Sequence, residues 1–208
     1  MMIPLLVDVS DKTVVIFGGG EVGARKAAYF APEARVTAYS RSFSPAFSSL
    51  HVECQSLDLN TTGDETLQAL IDDAFLVIAA TPDQEQNNRI RRLCISKKIL
   101  FNNAAGETGD LLIPSIIHGE RFVLAISTLG SSPGVSRFLR EYLESTLPDL
   151  DRMIDLQERL RAYLKDCLPD QEERKTIVWK VLKDREVWSA LREGEVTAWS
   201  LISRRYLQ

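Results

Sequence analysis

Three glycines near the start of the chain have the spacing of a phosphate-binding turn. Gly18, Gly20 and Gly23 form the pattern G-x-G-x-x-G directly after the apolar run Val14 to Phe17. In such a turn the first glycine permits the bend, the second lets the backbone approach a pyrophosphate, and the third allows a helix to pack closely. We therefore predict a strand, a tight turn and a helix that together bind a dinucleotide.

The residues after the turn indicate how the phosphates would be held. Glu21 and Val22 open the predicted helix, and backbone N–H groups at a helix start can bind phosphate without a basic side chain. The alternative is a glycine turn with a structural role only. The context of strand, turn and helix favours dinucleotide binding over that alternative.

The end of the second predicted strand should contact the ribose of the dinucleotide. NAD sites usually carry an acidic residue there, whereas this chain has the run YSRS at residues 39–42. Ser40 or Ser42 could bond the ribose hydroxyls, and Arg41 could equally pair with a 2′-phosphate or stack on adenine. These residues leave the choice between NAD and NADP open.

The elements that must position these residues alternate along the first 105 residues. Repeated strand and helix units predict an α/β fold, a Rossmann-like doubly wound parallel sheet whose ligands bind at the carboxyl ends of its strands. Thr81 and Pro82 follow the fourth strand at that edge, so they could contact the nicotinamide half or form a simple strand-ending turn. The predicted strands are Val14–Phe17, Ala34–Tyr39, His51–Ser56, Ala74–Thr81 and Ile99–Ala105, with helices at Asp64–Ile71 and 83–98.

The pattern changes after Gly106. Short strands joined at Pro114 and at the turn 118–121 precede a helix that begins at a Ser-Pro pair and stops at Pro148. Only helices are predicted beyond it, with breaks at Pro169 and Gly194. We therefore predict three parts: a dinucleotide-binding domain at 1–113, a small α+β region at 114–148 and a helical segment at 149–208.

Composition excludes several classes of partner. The formal net charge of −4 over 208 residues gives no global field that would attract nucleic acid. Three widely spaced cysteines and two histidines predict free thiols in a reducing compartment and no metal site. The chain has neither a leader-like start nor a run of about 18 or more apolar residues. We therefore expect a cytoplasmic protein without a membrane partner.

Five stretches of the chain resemble the precorrin-2 dehydrogenase family, the N-terminal module of siroheme synthase. The resemblance implies a Rossmann domain, a dimerisation region and a helical C-terminal segment in a homodimer. It also implies NAD-dependent oxidation of precorrin-2 to sirohydrochlorin in siroheme biosynthesis. Some members also insert ferrous iron, and others carry a methyltransferase domain, which we expect to be absent from a chain ending at Gln208. The matching stretches are GGGEVGARKA at 18–27, LVIAATPDQEQNNRI at 76–90, FNNAA at 101–105, IPSII at 113–117 and AISTLGSSPGVSRFLREYLESTLP at 125–148.

One position departs from the family pattern. The family has an aspartate three residues after the strand asparagine, and the resemblance implies that it assists oxidation and iron insertion, but Ala105 stands here after Asn102. Asp110 or Glu107 could supply the carboxylate, water could act as the base, or part of the activity could be lost. We predict Asp110 and Ser132 as catalytic residues. The alternatives are a bifunctional dehydrogenase and ferrochelatase, or a degenerate protein that only binds NAD or tetrapyrrole.

The acetate and propionate groups of such a substrate would need hydroxyls, arginines and helix starts. Ser127, Thr128 and Ser131, followed by Ser132 at the predicted helix start, form such a place, and Arg137 lies one turn further on. We predict these residues as substrate-binding. Ser132 could instead be only a helix cap, and Arg137 only a solvated side chain.

Overall fold

The computed structural model describes residues 2–104 and 109–207, and the chain divides into two units, Met1–Ile113 and Pro114–Gln208. A sheet of five parallel strands in the order β3-β2-β1-β4-β5 organises the first unit. The predicted doubly wound α/β fold is confirmed, whereas the three-part division of the chain stays a prediction. The strands are β1 (Thr13–Phe17), β2 (Arg35–Ser40), β3 (Glu53–Ser56), β4 (Leu76–Ala79) and β5 (Leu100–Asn103).

Helices cover both faces of this sheet because the central strands are apolar on both sides. Helix α1 (Glu21–Phe30) packs on the face that carries Val14 and Ile16, whereas α2 (Asp64–Ile71) and α3 (Gln84–Lys97) pack on the other face. Between β2 and β3 the chain forms only a short 3-10 helix at Pro45–Ser49, so this connection lacks a crossover α-helix.

The strand order changes direction between β1 and β4. The chain runs outward from β1 through β2 to β3 and then returns to β4 on the other side of β1. Sheets of this kind bind ligands at the point where the direction reverses. The glycine turn after β1 lies at that point.

The second unit combines a hairpin with five helices. The short strands on either side of the predicted turn are β6 (Ser115–His118) and β7 (Val123–Ile126), and they pair antiparallel. The backbone amides of Glu120 and Arg121, in the hairpin turn, donate to the Asp151 carboxylate at 3.2 and 2.8 Å, which fixes the turn against the following helices. The helices are α4 (Pro133–Thr146), α5 (Leu150–Cys167), α6 (Gln171–Lys183), α7 (Arg185–Glu193) and α8 (Glu195–Tyr206).

Helix breaks follow Cys167 and Glu193, as predicted, and a third occurs at Asp184. Asp184 caps α7 by accepting from the Glu186 amide at 2.9 Å, and its other oxygen accepts from Arg205 at 2.6 Å and from Tyr206 at 2.8 Å. Burial acts to raise the pKa of the Asp184 carboxyl, but these hydrogen bonds outweigh it and lower that pKa.

Within residues 2–104 and 109–207, no helix is both long enough and apolar enough to cross a membrane.

Candidate functional site

Two glycines of the turn are required by the fold itself. Gly18 has a φ of 127°, and a Cβ atom there would lie 2.5 Å from the Ala80 carbonyl oxygen. A Cβ atom on Gly23 would press into the carbonyl of Gly18, closer than atoms can approach. The first and third glycines of the pattern therefore let β1, β4 and α1 pack together.

Gly20 has a different reason to be glycine. It is the N-cap of α1 with an extended backbone, φ −78° and ψ −176°, and a Cβ atom there would meet no atom of the described residues within 4 Å. The N-cap residue has no side chain to cap this helix, and no described side chain accepts from the amides of its first turn, which include those of Glu21 and Val22. The start of α1 is therefore an open cradle of N–H donors, which suits an anion.

The loop after β2 packs against this cradle. The Ser44 amide donates to the Gly19 carbonyl at 2.7 Å, and the Ser44 hydroxyl donates to the Glu21 carboxylate. A Cβ atom on Gly19 would lie 2.8 Å from the Cβ of Ser40, so the two segments are in direct contact. The structure thus brings the loop that carries Ser40, Arg41 and Ser42 beside the glycine turn, although these segments are separated in sequence.

Thr81 lies at the carboxyl end of β4 and is only 8% exposed. Its hydroxyl donates to the Asn87 side chain at 2.7 Å and accepts from the Asp83 amide at 3.2 Å. Asp83 in turn caps α3 by accepting from the Glu85 amide at 2.9 Å. Thr81 therefore fixes the turn that carries Pro82, which is exposed at the same edge of the sheet.

Asn102 is a candidate site residue that the sequence prediction did not include. It is 3% exposed near the carboxyl end of β5, and its amide nitrogen donates to the Leu111 carbonyl at 2.9 Å. Its side-chain oxygen is buried and has no hydrogen-bond partner among residues 2–104 and 109–207. Buried polar atoms are rarely unpaired, so this oxygen is an acceptor available to a ligand or water. Two adjacent asparagines, Asn102 and Asn103, at the carboxyl end of a strand were the available signal.

Asp110 runs back along the edge of β5. Its amide donates to the Phe101 carbonyl at 2.8 Å, and its carboxylate accepts from the Phe101 amide at 3.0 Å. The side chain is therefore held beside the second residue of β5, two residues before that strand ends. Ala105, at the family's aspartate position, and Glu107, the other predicted source of a carboxylate, lie outside the described residues.

The charge of Asp110 also acts on a neighbouring thiol. Burial, and then the Asp110 charge, raise the pKa of Cys94 to about 12, so this buried thiol is a poor nucleophile and a poor metal ligand. In the part of the chain that the structure describes, no group of three or more His, Cys, Asp or Glu residues could hold a metal ion.

The residues predicted to bind substrate lie in the second unit, on the loop between β7 and α4. Leu129 and Gly130 adopt left-handed backbone conformations, with φ of 53° and 85°. The Thr128 hydroxyl donates to the Ser132 carbonyl at 2.9 Å and accepts from the Ser132 amide at 3.0 Å. The Ser127 hydroxyl accepts from the Leu129 amide at 3.0 Å. Thr128 therefore shapes the loop, and Ser127 keeps its hydroxyl proton for another acceptor.

Ser132 and Arg137 belong to the start of α4. The Ser132 hydroxyl caps the helix by accepting from the Val135 amide at 3.4 Å, and Ser131 is exposed beside it. Arg137 pairs with Glu141 at 2.7 Å with three quarters of its side chain exposed. This ion pair occupies one N–H group of a guanidinium that has five.

Comparisons with known proteins identify the family. A model of an NAD(P)-binding family matches residues 5–115. The precorrin-2 dehydrogenase of Methanosarcina barkeri is 42% identical over 197 residues, which cover 92% of this chain and 88% of that protein. The chain belongs to the precorrin-2 dehydrogenase family. The predicted resemblance is thereby confirmed.

Other relatives are longer proteins, which this chain matches over part of their length. The siroheme synthases of Klebsiella pneumoniae and Sodalis glossinidius are 32% and 33% identical, each over 88% of this chain. The chain spans only 39% of either siroheme synthase. The solved structure of SirC, precorrin-2 dehydrogenase, has the same fold, with a TM-score of 0.71 over 98% of this chain and all of that one, at 20% identity.

Proposed function

We propose that this chain is an NAD-dependent dehydrogenase that oxidises precorrin-2 to sirohydrochlorin in siroheme biosynthesis. The observation that carries the proposal is the 42% identity to a precorrin-2 dehydrogenase across 92% of the chain. The glycine turn agrees with it because it supplies a site for the cofactor that a dehydrogenase needs.

The residues at the turn fit a nicotinamide dinucleotide. The open space at Gly20 and the uncapped start of α1 suit the pyrophosphate, which the amides of Glu21 and Val22 would bind. The Ser40 and Ser42 hydroxyls would hold the adenosine ribose, because their loop contacts the glycine turn, and the turn of Thr81 and Pro82 would contact the nicotinamide half. When bound, the nicotinamide supplies the hydride acceptor for the oxidation.

The chain's own contribution to the rate is mainly positioning. Thr81 and Asn87 hold the β4 turn by hydrogen bonds at 2.7 and 2.9 Å, and Ser44 holds the β2 loop on the glycine turn. Groups fixed in this way hold the reacting atoms in place without further reorganisation. The reaction therefore needs few side chains whose pKa is shifted from its ordinary value.

We propose that Asp110 accepts the proton that the substrate loses together with the hydride. One carboxylate oxygen is held by the Phe101 amide, while the residue as a whole is exposed. Because Asp110 lies beside the second residue of β5, the proton would reach it through a water molecule. General bases of this kind accelerate a reaction by about 10²- to 10⁴-fold. Mutation of Asp110 should therefore lower the rate measurably if the proposal is right.

We propose that the loop between β7 and α4 binds the carboxylates of the substrate. Ser127, Ser131 and Ser132 retain hydroxyl protons that can be donated, and Arg137 retains four N–H groups beyond its bond to Glu141. Ser132 lies at the positive end of α4, which favours an anion. Because Ser132 donates to the substrate in this proposal, we count it among the catalytic candidates.

We also propose that the protein forms a homodimer through an apolar face of α4. Val135, Phe138, Leu139 and Tyr142 are 38% to 63% exposed, and the rings of Phe138 and Tyr142 stack 6.2 Å apart. An apolar patch of this kind usually marks an interface. A Phe138→Asp variant should be monomeric by light scattering where the native protein is dimeric; an unchanged mass would contradict this face.

A reducing compartment, the cytoplasm, is the location we propose. Cys54, Cys94 and Cys167 are all free thiols, which is typical of proteins that stay in such a compartment. Two of them are exposed and would be open to oxidation elsewhere.

A turnover assay tests the proposed function. Purified full-length protein with precorrin-2 and NAD should form sirohydrochlorin, which is detected by its absorption. A protein that binds NAD but forms no sirohydrochlorin above the rate without enzyme would be a binding protein, and the proposal would be rejected. A parallel incubation of sirohydrochlorin with ferrous iron measures whether the chain also inserts metal.

A further inference from the structure

The loop after β2 carries a cation at the position where Rossmann folds distinguish NAD from NADP. An acidic residue there binds the ribose hydroxyls of NAD and repels the 2′-phosphate of NADP, whereas an arginine accommodates that phosphate. Residues 39–44 of this chain read YSRSFS and contain no acid. Arg41 stands in the middle of this run, one residue after β2 ends.

The loop is anchored at both ends beside the pyrophosphate cradle. At its start the Ser40 carbonyl accepts from the Leu57 amide at 3.0 Å, which extends the pairing with β3. At its end the Ser44 amide donates to the Gly19 carbonyl at 2.7 Å. Arg41 and Ser42 are therefore exposed residues of a loop that is held at both ends, so little backbone ordering is needed when a ligand binds.

The charge of Arg41 is available to a ligand. The side chain is exposed, and it makes no hydrogen bond or ion pair with any other described residue. Carboxylates in the adjoining segments have other partners: Glu21 is bound by Ser44, Glu53 accepts from Gln55 at 2.7 Å, and Asp58 accepts from the Asn60 amide at 3.0 Å.

We propose that this chain uses NADP as well as NAD, with the Arg41 guanidinium and the hydroxyls of Ser40 and Ser42 binding the 2′-phosphate. The proposal rests on the proposed function, because the ribose lies beside the loop only if the dinucleotide occupies the glycine turn. A guanidinium presents two parallel N–H groups to a phosphate. The redox step is unchanged: NADP⁺ takes the hydride from the tetrapyrrole and becomes NADPH, and the proton is released.

Calorimetry and initial rates with NAD⁺ and NADP⁺ test this proposal on the full-length protein. We expect NADP⁺ to bind within about tenfold of NAD⁺, or more tightly. Arg41→Ala should weaken NADP⁺ by about tenfold or more, since a charged hydrogen bond is lost, and should change NAD⁺ by less than about twofold. Arg92→Ala removes the same charge from an exposed position on α3 and is the matched control; it should change neither affinity.

The reversed charge sharpens the test. Arg41→Asp should weaken NADP⁺ by about 100-fold or more while NAD⁺ still binds, because a carboxylate repels the 2′-phosphate and can accept from ribose hydroxyls. If the native protein binds NAD⁺ but binds NADP⁺ more than about 100-fold more weakly, the NADP proposal is overturned and the proposed function stands. Equal weakening of both cofactors by Arg41→Ala would also overturn it. If neither dinucleotide binds, the proposed function fails, and this proposal with it.

Discussion

Gly20→Asp should separate the folding role of the glycine turn from its binding role. A Cβ atom at Gly20 would meet no atom within 4 Å in the part of the chain that the structure describes, and the backbone there is extended, as helix N-caps usually are. Aspartate is a better N-cap than glycine by a few tenths of a kcal/mol, so we expect the free energy of unfolding to be unchanged or slightly higher, within about 0.5 kcal/mol.

The same substitution should abolish cofactor binding. The new carboxylate would lie roughly 4 Å from a pyrophosphate bound at the start of α1, where two like charges repel by about 4 kcal/mol at an effective dielectric constant near 20. Solvent screening reduces this value, so we expect NAD affinity to fall by about 100-fold or more. Calorimetric titration with NAD measures the affinity, and thermal unfolding followed by circular dichroism measures the stability.

Gly63 provides a matched control. It is the N-cap of α2, its backbone is extended, no side chain caps the helix, and a Cβ atom there would also meet nothing within 4 Å. Gly63→Asp should keep both stability and NAD affinity. By contrast, Gly23→Ala places its methyl group against the Gly18 carbonyl and should destabilise the protein by about 1–3 kcal/mol. If folded Gly20→Asp binds NAD as tightly as the native protein, the start of α1 is not the pyrophosphate site.

Three further changes test other parts of the account. Asp110→Asn keeps an oxygen for the Phe101 amide and should lower kcat by about 100-fold without changing NAD affinity; an unchanged kcat would exclude Asp110 as the proton acceptor. Asp184→Ala removes a helix cap and the partner of Arg205 and should cost about 2 kcal/mol in chemical denaturation. Because hydrogen bonds lower the pKa of Asp184 in the folded protein, its contribution should be present at neutral pH and lost as the pH falls below about 4; equal stability of variant and native protein at neutral pH would contradict this. Cys94, with a pKa of about 12, should resist a thiol reagent until the protein unfolds, while the two exposed cysteines react; three reactive thiols in folded protein would show that Cys94 is accessible.

The sheet and its glycine turn could be predicted because their signals are local. The run Val14 to Phe17 is buried on both faces, as a continuous apolar strand predicts, and α2 spans Asp64–Ile71 as its spacing indicates. The three glycines gave the position of the turn at the sheet's carboxyl edge. The short 3-10 helix after β2 was not predicted, since its few residues lack a helical period.

The contacts that define the candidate site could not be predicted in the same way. The Asp110 carboxylate is bonded to the Phe101 amide, and Ser44 is bonded to Gly19, through pairs of segments that the sequence pattern does not connect. The Thr81 hydroxyl is committed to Asn87, so Thr81 shapes its turn. Hydrogen bonds between a side chain and backbone that is distant in sequence produce no periodic sequence pattern, so only the folded structure shows them.

The most direct test of the central claim is the ratio of NADH to sirohydrochlorin formed when the full-length protein oxidises precorrin-2. We predict equal amounts of the two products, both absent with Gly20→Asp and both retained with Gly63→Asp. If the native protein binds NAD but sirohydrochlorin appears no faster than without enzyme, or appears without NADH, the account of an NAD-dependent dehydrogenase is contradicted.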